Sequence, residues 1–172
     1  MHWTRTIIAA LLGAVAIAAG WTVLAAEPHT APAAAPRASW DPCTRIPDDL
    51  LRAAGFEPAS RRADVGAAPG PGWAACGWSN QTAALRVLAA DATPVPDDLS
   101  AAMERIDVTV GDRAAVRSRP LATDTACLLV FTTADNSQVR MRLDTRAAAM
   151  DRSMACDLLY AAATALAPAL PR

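Results

Sequence analysis

The sequence predicts an α+β fold, an antiparallel sheet of about six strands with a long C-terminal helix and shorter helices packed on one face. Three observations predict it. Segments that alternate apolar and polar residues come in pairs joined by turn-forming residues. Apolar side chains recur every four residues near the C-terminus. The chain also has four cysteines, Cys43, Cys76, Cys127 and Cys156, all beyond an apolar N-terminal stretch, and an even count in that position reads as two disulfides.

The N-terminal stretch sets the location. Arg5 is its single fixed side-chain charge, and Thr6 to Ala26 follow as 21 uncharged residues. The positive-inside rule keeps the N-terminus in the cytoplasm and sends the remainder outward. As a helix the stretch spans roughly 32 Å, enough for a bilayer core, and Trp3 and Trp21 suit the interfacial belts of an uncleaved anchor. Val23-Leu24-Ala25 and Leu24-Ala25-Ala26 place an alanine where a signal peptidase cuts, so residues 1–26 fit a signal peptide or an N-terminal transmembrane anchor. Both readings put the protein on the outer side of the cytoplasmic membrane, anchored there or secreted, where disulfides persist. Residues 27–39, with Pro28, Pro32 and Pro36 among alanines, read as a semi-rigid linker, and residues 40–172 as one extracytoplasmic domain.

Within the domain, Pro47-Asp48-Asp49-Leu50 opens a short helix that ends near Gly55. Proline suits the first turn, where its missing N–H is not needed, and the aspartates face the positive end of the helix dipole. The same four residues recur at Pro96-Asp97-Asp98-Leu99 before Ser100 to Glu104, which reads as a second helix start. Arg61 to Gly72 is rich in glycine and proline and reads as loop. Cys76 to Ser79 and Ala84 to Leu88 flank Asn80-Gln81 as a hairpin. Ile106 to Val110 and Ala114 to Arg117 flank Gly111-Asp112, and Cys127 to Thr133 and Gln138 to Asp144 form a third pair. On the last strand Val139, Met141 and Leu143 point to one face and Arg140 and Arg142 to the other. The final helix runs from about Ala147 to Ala167, with Met150, Met154, Leu158 and Ala162 sharing a stripe with Ala155, Cys156 and Leu159 that lies on the sheet.

Composition narrows the function classes. All 16 basic residues are arginine and there are two asparagines, as in a protein from a GC-rich bacterium. In such a host the Asn80-Gln81-Thr82 sequon carries no meaning; in a eukaryote it is a glycosylation acceptor. Residues 41–172 hold 14 arginines against 16 acids, a balance that argues against nucleic acid as a partner. Both histidines, His2 and His29, precede the domain, which removes Ser-His-Asp, Cys-His and most zinc chemistry from it. The cysteines lack the close pairs of a metal site, and the aspartate pairs are already explained as helix starts. No metal, no cofactor and no enzymatic activity is therefore expected.

Taken in order, Trp40-Asp41-Pro42-Cys43, a short helix ending in Gly55-Phe56, Cys76-Gly77-Trp78, the turn at Gly111, Cys127 opening an apolar strand, and Cys156 in a terminal helix before Pro171 resemble the uncharacterised four-cysteine lipoprotein family of actinobacteria. The resemblance spans about residues 40–172 and implies an extracytoplasmic location and a fold, with no assigned activity. This chain departs from the family pattern in having no lipobox cysteine after the apolar run.

Two features read as binding surfaces. Arg117 with Arg119, and Arg140 with Arg142, each share a strand face and are expected to project four guanidiniums from the exposed side of one sheet, where an anionic envelope ligand or an acidic envelope protein is held by bidentate hydrogen bonds. The plain alternative is a solvated face. Trp73 reads either as core packing near Cys76 or as a contact residue on the Gly/Pro loop. The expected function is a non-enzymatic envelope binding module, and the alternative is a small-molecule or lipid carrier with its pocket between the sheet and the terminal helix. Of the three possible connectivities, Cys43–Cys76 and Cys127–Cys156 are expected, because both close locally, the first tying the segment before the opening helix to the first strand and the second tying a central strand to the helix packed on it.

Overall fold

The computed structural model describes residues 38–65, 72–91, 103–121, 125–146 and 154–172. The N-terminal apolar segment, nearly all of the linker, the second Pro-Asp-Asp-Leu at 96–99 and Met150 lie outside the described residues. Among the described residues no helix is long and apolar enough to cross a membrane.

Two short helices open the domain, α1 (Pro42–Arg45) and α2 (Asp48–Ala53), followed by a 3-10 turn at Pro58–Ser60. Asp41 caps α1 by accepting from the Cys43 N–H at 2.9 Å. The end of α2 is a Schellman turn: Phe56 N–H donates to Leu51 O at 2.9 Å, Gly55 N–H to Arg52 O at 3.0 Å, and Gly55 takes φ +83°. Leu51 and Phe56, which that turn brings together, are both buried.

Seven strands follow in one antiparallel sheet: β1 (Arg62–Ala63), β2 (Trp73–Ser79), β3 (Ala83–Ala90), β4 (Met103–Val110), β5 (Arg113–Pro120), β6 (Ala126–Thr132) and β7 (Gln138–Thr145), in spatial order β1-β2-β3-β7-β6-β5-β4. The expectation of six missed β1, which forms inside the segment read as loop: Arg62 and Ala63 pair with Gly77 and Cys76. Met103 and Glu104, read as helix, open β4 instead and pair with Pro120 and Arg119. The β2–β3 turn is organised by Asn80, whose Oδ1 accepts from Thr82 N–H at 2.9 Å and Ala83 N–H at 2.8 Å while its Nδ2 donates to Gly55 O at 2.8 Å. Gly111 takes φ +63° at the first position of the β4–β5 turn, where a side chain is disfavoured.

The described part of the terminal helix, α3 (Met154–Leu166), lies over β6 and β7 and continues as a 3-10 turn. Its buried stripe is Ala155, Cys156, Leu159, Ala162, Ala163 and Leu166. Leu158, expected on that stripe, is 38 % exposed, because the buried row runs through 155, 159, 162 and 166 and leaves 158 on its flank. Val139, Met141 and Leu143 meet the stripe from β7 and are fully buried, with Leu129 and Phe131 of β6 beside them. The disulfides are Cys43–Cys76, fastening α1 to β2, and Cys127–Cys156, fastening α3 to β6.

The loops they close separate the cysteines by 33 and 29 residues, and the chain-entropy treatment gives each about 3–4 kcal/mol. Replacing Cys127 and Cys156 together by alanine should lower the unfolding free energy by about that amount in a denaturant titration. An unchanged midpoint would show that α3 is held by packing alone.

Candidate functional site

Register and pleat assign each strand residue to a face. On β7, Arg140, Arg142 and Asp144 point away from α3, and β3 places Arg86 opposite Arg142 and Ala84 opposite Asp144 on that far face. Arg117 stands opposite Leu129, which stands opposite Met141, so Arg117 and Arg119 lie on the face that α3 covers. The four arginines expected on one surface are therefore divided between two. The reason is an even–odd offset: the partner of Arg140 is Val130, and the partner of Val130 is Val116, so the β5 arginines have the opposite parity.

On the helix face, Arg117 and Arg119 both pair with Glu104 of β4, Arg117 at 3.7 Å. The Arg119 hydrogen bond is the main cause holding the Glu104 carboxyl below its ordinary pKa. Tyr160 of α3 meets Arg117 there; burial pushes its hydroxyl pKa up while the guanidinium opposes the shift. On the far face, Arg140 is buried, with its guanidinium 5.8 Å from the ring centroid of Trp73. Trp73 is itself 5 % exposed at the start of β2, so it packs and is not an exposed loop contact; opposite it stands Ala90, small enough to admit the indole.

Arg142 belongs to a cluster that sequence reasoning missed. Its Nη2 donates to Asp144 Oδ1 at 2.7 Å, and Arg86 Nη2 reaches Asp144 Oδ2 at 3.0 Å. Beside this pair the far face forms a cleft of about 380 Å³, lined by Arg62 of β1, Arg86, Arg146 just beyond β7, Asp144, Ser60 and Gly77. Burial would raise the Asp144 pKa, but the hydrogen bonds and charges of Arg142 and then Arg86 outweigh it and leave the carboxyl low. Asp144 is thus an engaged anion. Arg62 and Arg146 carry no ion pair among the described residues. Gly77 forms the floor because a Cβ there would lie 2.6 Å from Val65 Cγ2, so glycine lets the end of β1 settle over β2. Finding this cluster from sequence requires knowing that β3 pairs with β7, a neighbour distant in the chain.

Two further clefts are different in kind. One of about 620 Å³ beside α2 carries Arg52, Glu57 and the Arg61–Asp48 ion pair, charges of both signs. The other, about 140 Å³, is lined by Met103, Pro120, Leu128 and Arg142 with the buried hydroxyl of Ser118. Beneath α3, where a carrier would hold its ligand, Leu159, Ala163 and Leu166 pack directly into the core. Among the described residues no group of three or more His, Cys, Asp or Glu is placed to hold a metal ion.

A family model described as a protein of unknown function, DUF3558, matches residues 18–169. The chain belongs to this family. No curated protein and no solved structure matches it. The arginine-lined cleft of this DUF3558 protein lies entirely within the matched span.

Because the folded-state pKa of Asp144 lies below its ordinary value of 3.8, its ion pairs contribute fully above that pH and are lost as pH falls through the lower folded value. Asp144→Asn should cost about 1–3 kcal/mol at neutral pH and remove the corresponding part of the acid-unfolding profile below about pH 4. Parallel profiles for the variant and the parent protein would show that the pairs contribute no stability.

Proposed function

We propose that this protein is a non-enzymatic binding module of the bacterial cell envelope that holds a phosphate-bearing envelope ligand in the cleft between β1, β2, β3 and β7. The observation that carries the reading is a concave site with three arginines, Arg62, Arg86 and Arg146, around one carboxylate that is already engaged. A guanidinium offers a planar fork of donors to a phosphate or carboxylate, and Arg62 and Arg146 keep theirs available. Two disulfides suit an oxidising extracytoplasmic environment. The apolar segment from Thr6 to Ala26 supports export, and the exclusive use of arginine supports a GC-rich, actinobacterial source. With both histidines at positions 2 and 29, the cleft has no imidazole base, which supports binding without turnover.

Isothermal titration of the full chain in detergent, with glycerol 3-phosphate against uncharged glycerol, should show saturable binding of the phosphate alone. Arg62→Ser combined with Arg146→Ser should weaken it more than about 100-fold, since each charge-assisted bond contributes about 1.5–3 kcal/mol, with the melting temperature held. Absence of binding to the parent protein, or equal binding to the variant, would refute the proposal.

A further inference from the structure

Strand β4 ends the sheet, and among the described residues no strand lies beyond it. It is eight residues long, as long as the interior strands β3 and β7, and its centre is open: Arg105 and Asp107 are exposed, and Ile106 is 40 % exposed. Native sheets usually blunt such an edge with proline, a bulge or unmatched charge, because its unpaired main-chain groups are a template for another strand. The described β4 has no proline and pairs with β5 without interruption over its whole length.

The orientation of its edge groups follows from the turn. Val110 and Arg113 flank the two-residue turn Gly111-Asp112, so they exchange main-chain bonds, and by alternation Val108, Ile106 and Glu104 also bond inward to β5. The N–H and C=O groups of Met103, Arg105, Asp107 and Thr109 then point outward. The side chains are ordered in a matching way, with Ile106 on the face of α3 and Arg105 and Asp107 on the far face.

We propose that β4 is a self-association edge, on which a second copy of this chain pairs antiparallel about a two-fold axis through Ile106. In that register Ile106 faces its own copy as a non-hydrogen-bonded pair, the closer of the two antiparallel spacings. Arg105 faces Asp107 of the second copy, and Asp107 faces Arg105, so both main-chain bonds are exchanged at each pair and the two side-chain charges oppose across the strands. Met103 faces Thr109 with the same outward bonding. The sequence Arg105-Ile106-Asp107 is complementary to itself when reversed, and an antiparallel two-fold contact demands that property. Shifting the register by one residue sets outward-bonding residues against inward-bonding ones and breaks the ladder, and shifting it by two places Arg105 opposite Arg105 or Asp107 opposite Asp107, so main-chain bonding and charge together select the pairing.

The test uses the full chain in detergent, followed by sedimentation equilibrium. The structure has no free cysteine among its described residues and all four are paired, so Ile106→Cys introduces a unique thiol. Mild oxidation of Ile106→Cys should give a covalent dimer, whereas Arg105→Cys should give far less, since residue 105 does not meet its own copy. Asp107→Arg sets arginine against arginine at both pairs and should weaken the dimer about tenfold or more with unchanged melting temperature. Adding Arg105→Asp to it exchanges the charges and should restore the dimer. A monomeric parent protein overturns the proposal, as does a dimer that neither responds to Asp107→Arg nor cross-links through residue 106.

Discussion

Pleat parity is the constraint on which the rest of the structure depends. Successive residues of a strand point to opposite faces, and an unbroken antiparallel register carries that parity from one strand to the next. Once Val139, Met141 and Leu143 are committed beneath α3, the face of every residue paired in register from β2 to β4 is decided with them. Cys76, Val87 and Met141 fall on one line of partners, and Cys127 stands opposite Leu143. Both disulfides therefore leave the sheet from its helix face, the only face where α1 and α3 are available to receive them. The same parity gathers Arg86, Arg142 and Asp144 on the other side.

The described helical cover is small for a seven-stranded sheet. Of the described helices, α3 has 13 residues and α1 and α2 have 4 and 6. One bridge holds a four-residue helix that has no independent stability, and the other fastens α3 at Cys156. With these in place, Leu51, Leu159 and Leu166 are removed from water completely.

Much of this was legible in the sequence. The alternation at Gln138 to Asp144 and the turn residues at Asn80 and Gly111 placed three hairpins, since both signals are local. The cysteine pairing was legible for a related reason: each bridge spans a short stretch of chain. What could not be read was whatever depended on distant neighbours. The pairing of β3 with β7 leaves no local mark, so Arg86 and Arg142 looked unrelated. The face of Arg117 relative to Arg140 required a parity carried across β6, and strand-by-strand reading put all four arginines together when the fold separates them. The two-residue β1 has no periodicity of its own and exists because Gly77 opens space for Val65.

Asn80 links this architecture to how the protein can be made. Its amide is the pivot of the β2–β3 turn and ties that turn to the end of α2 through Gly55. It is also the acceptor position of an Asn-Gln-Thr sequon. A eukaryotic secretory host would attach a bulky glycan to the Nδ2 that bonds Gly55, and the added sugar would pry the turn from the helix it anchors. Bacterial periplasmic expression forms the same disulfides and leaves that nitrogen bare, which makes it the host matched to this fold.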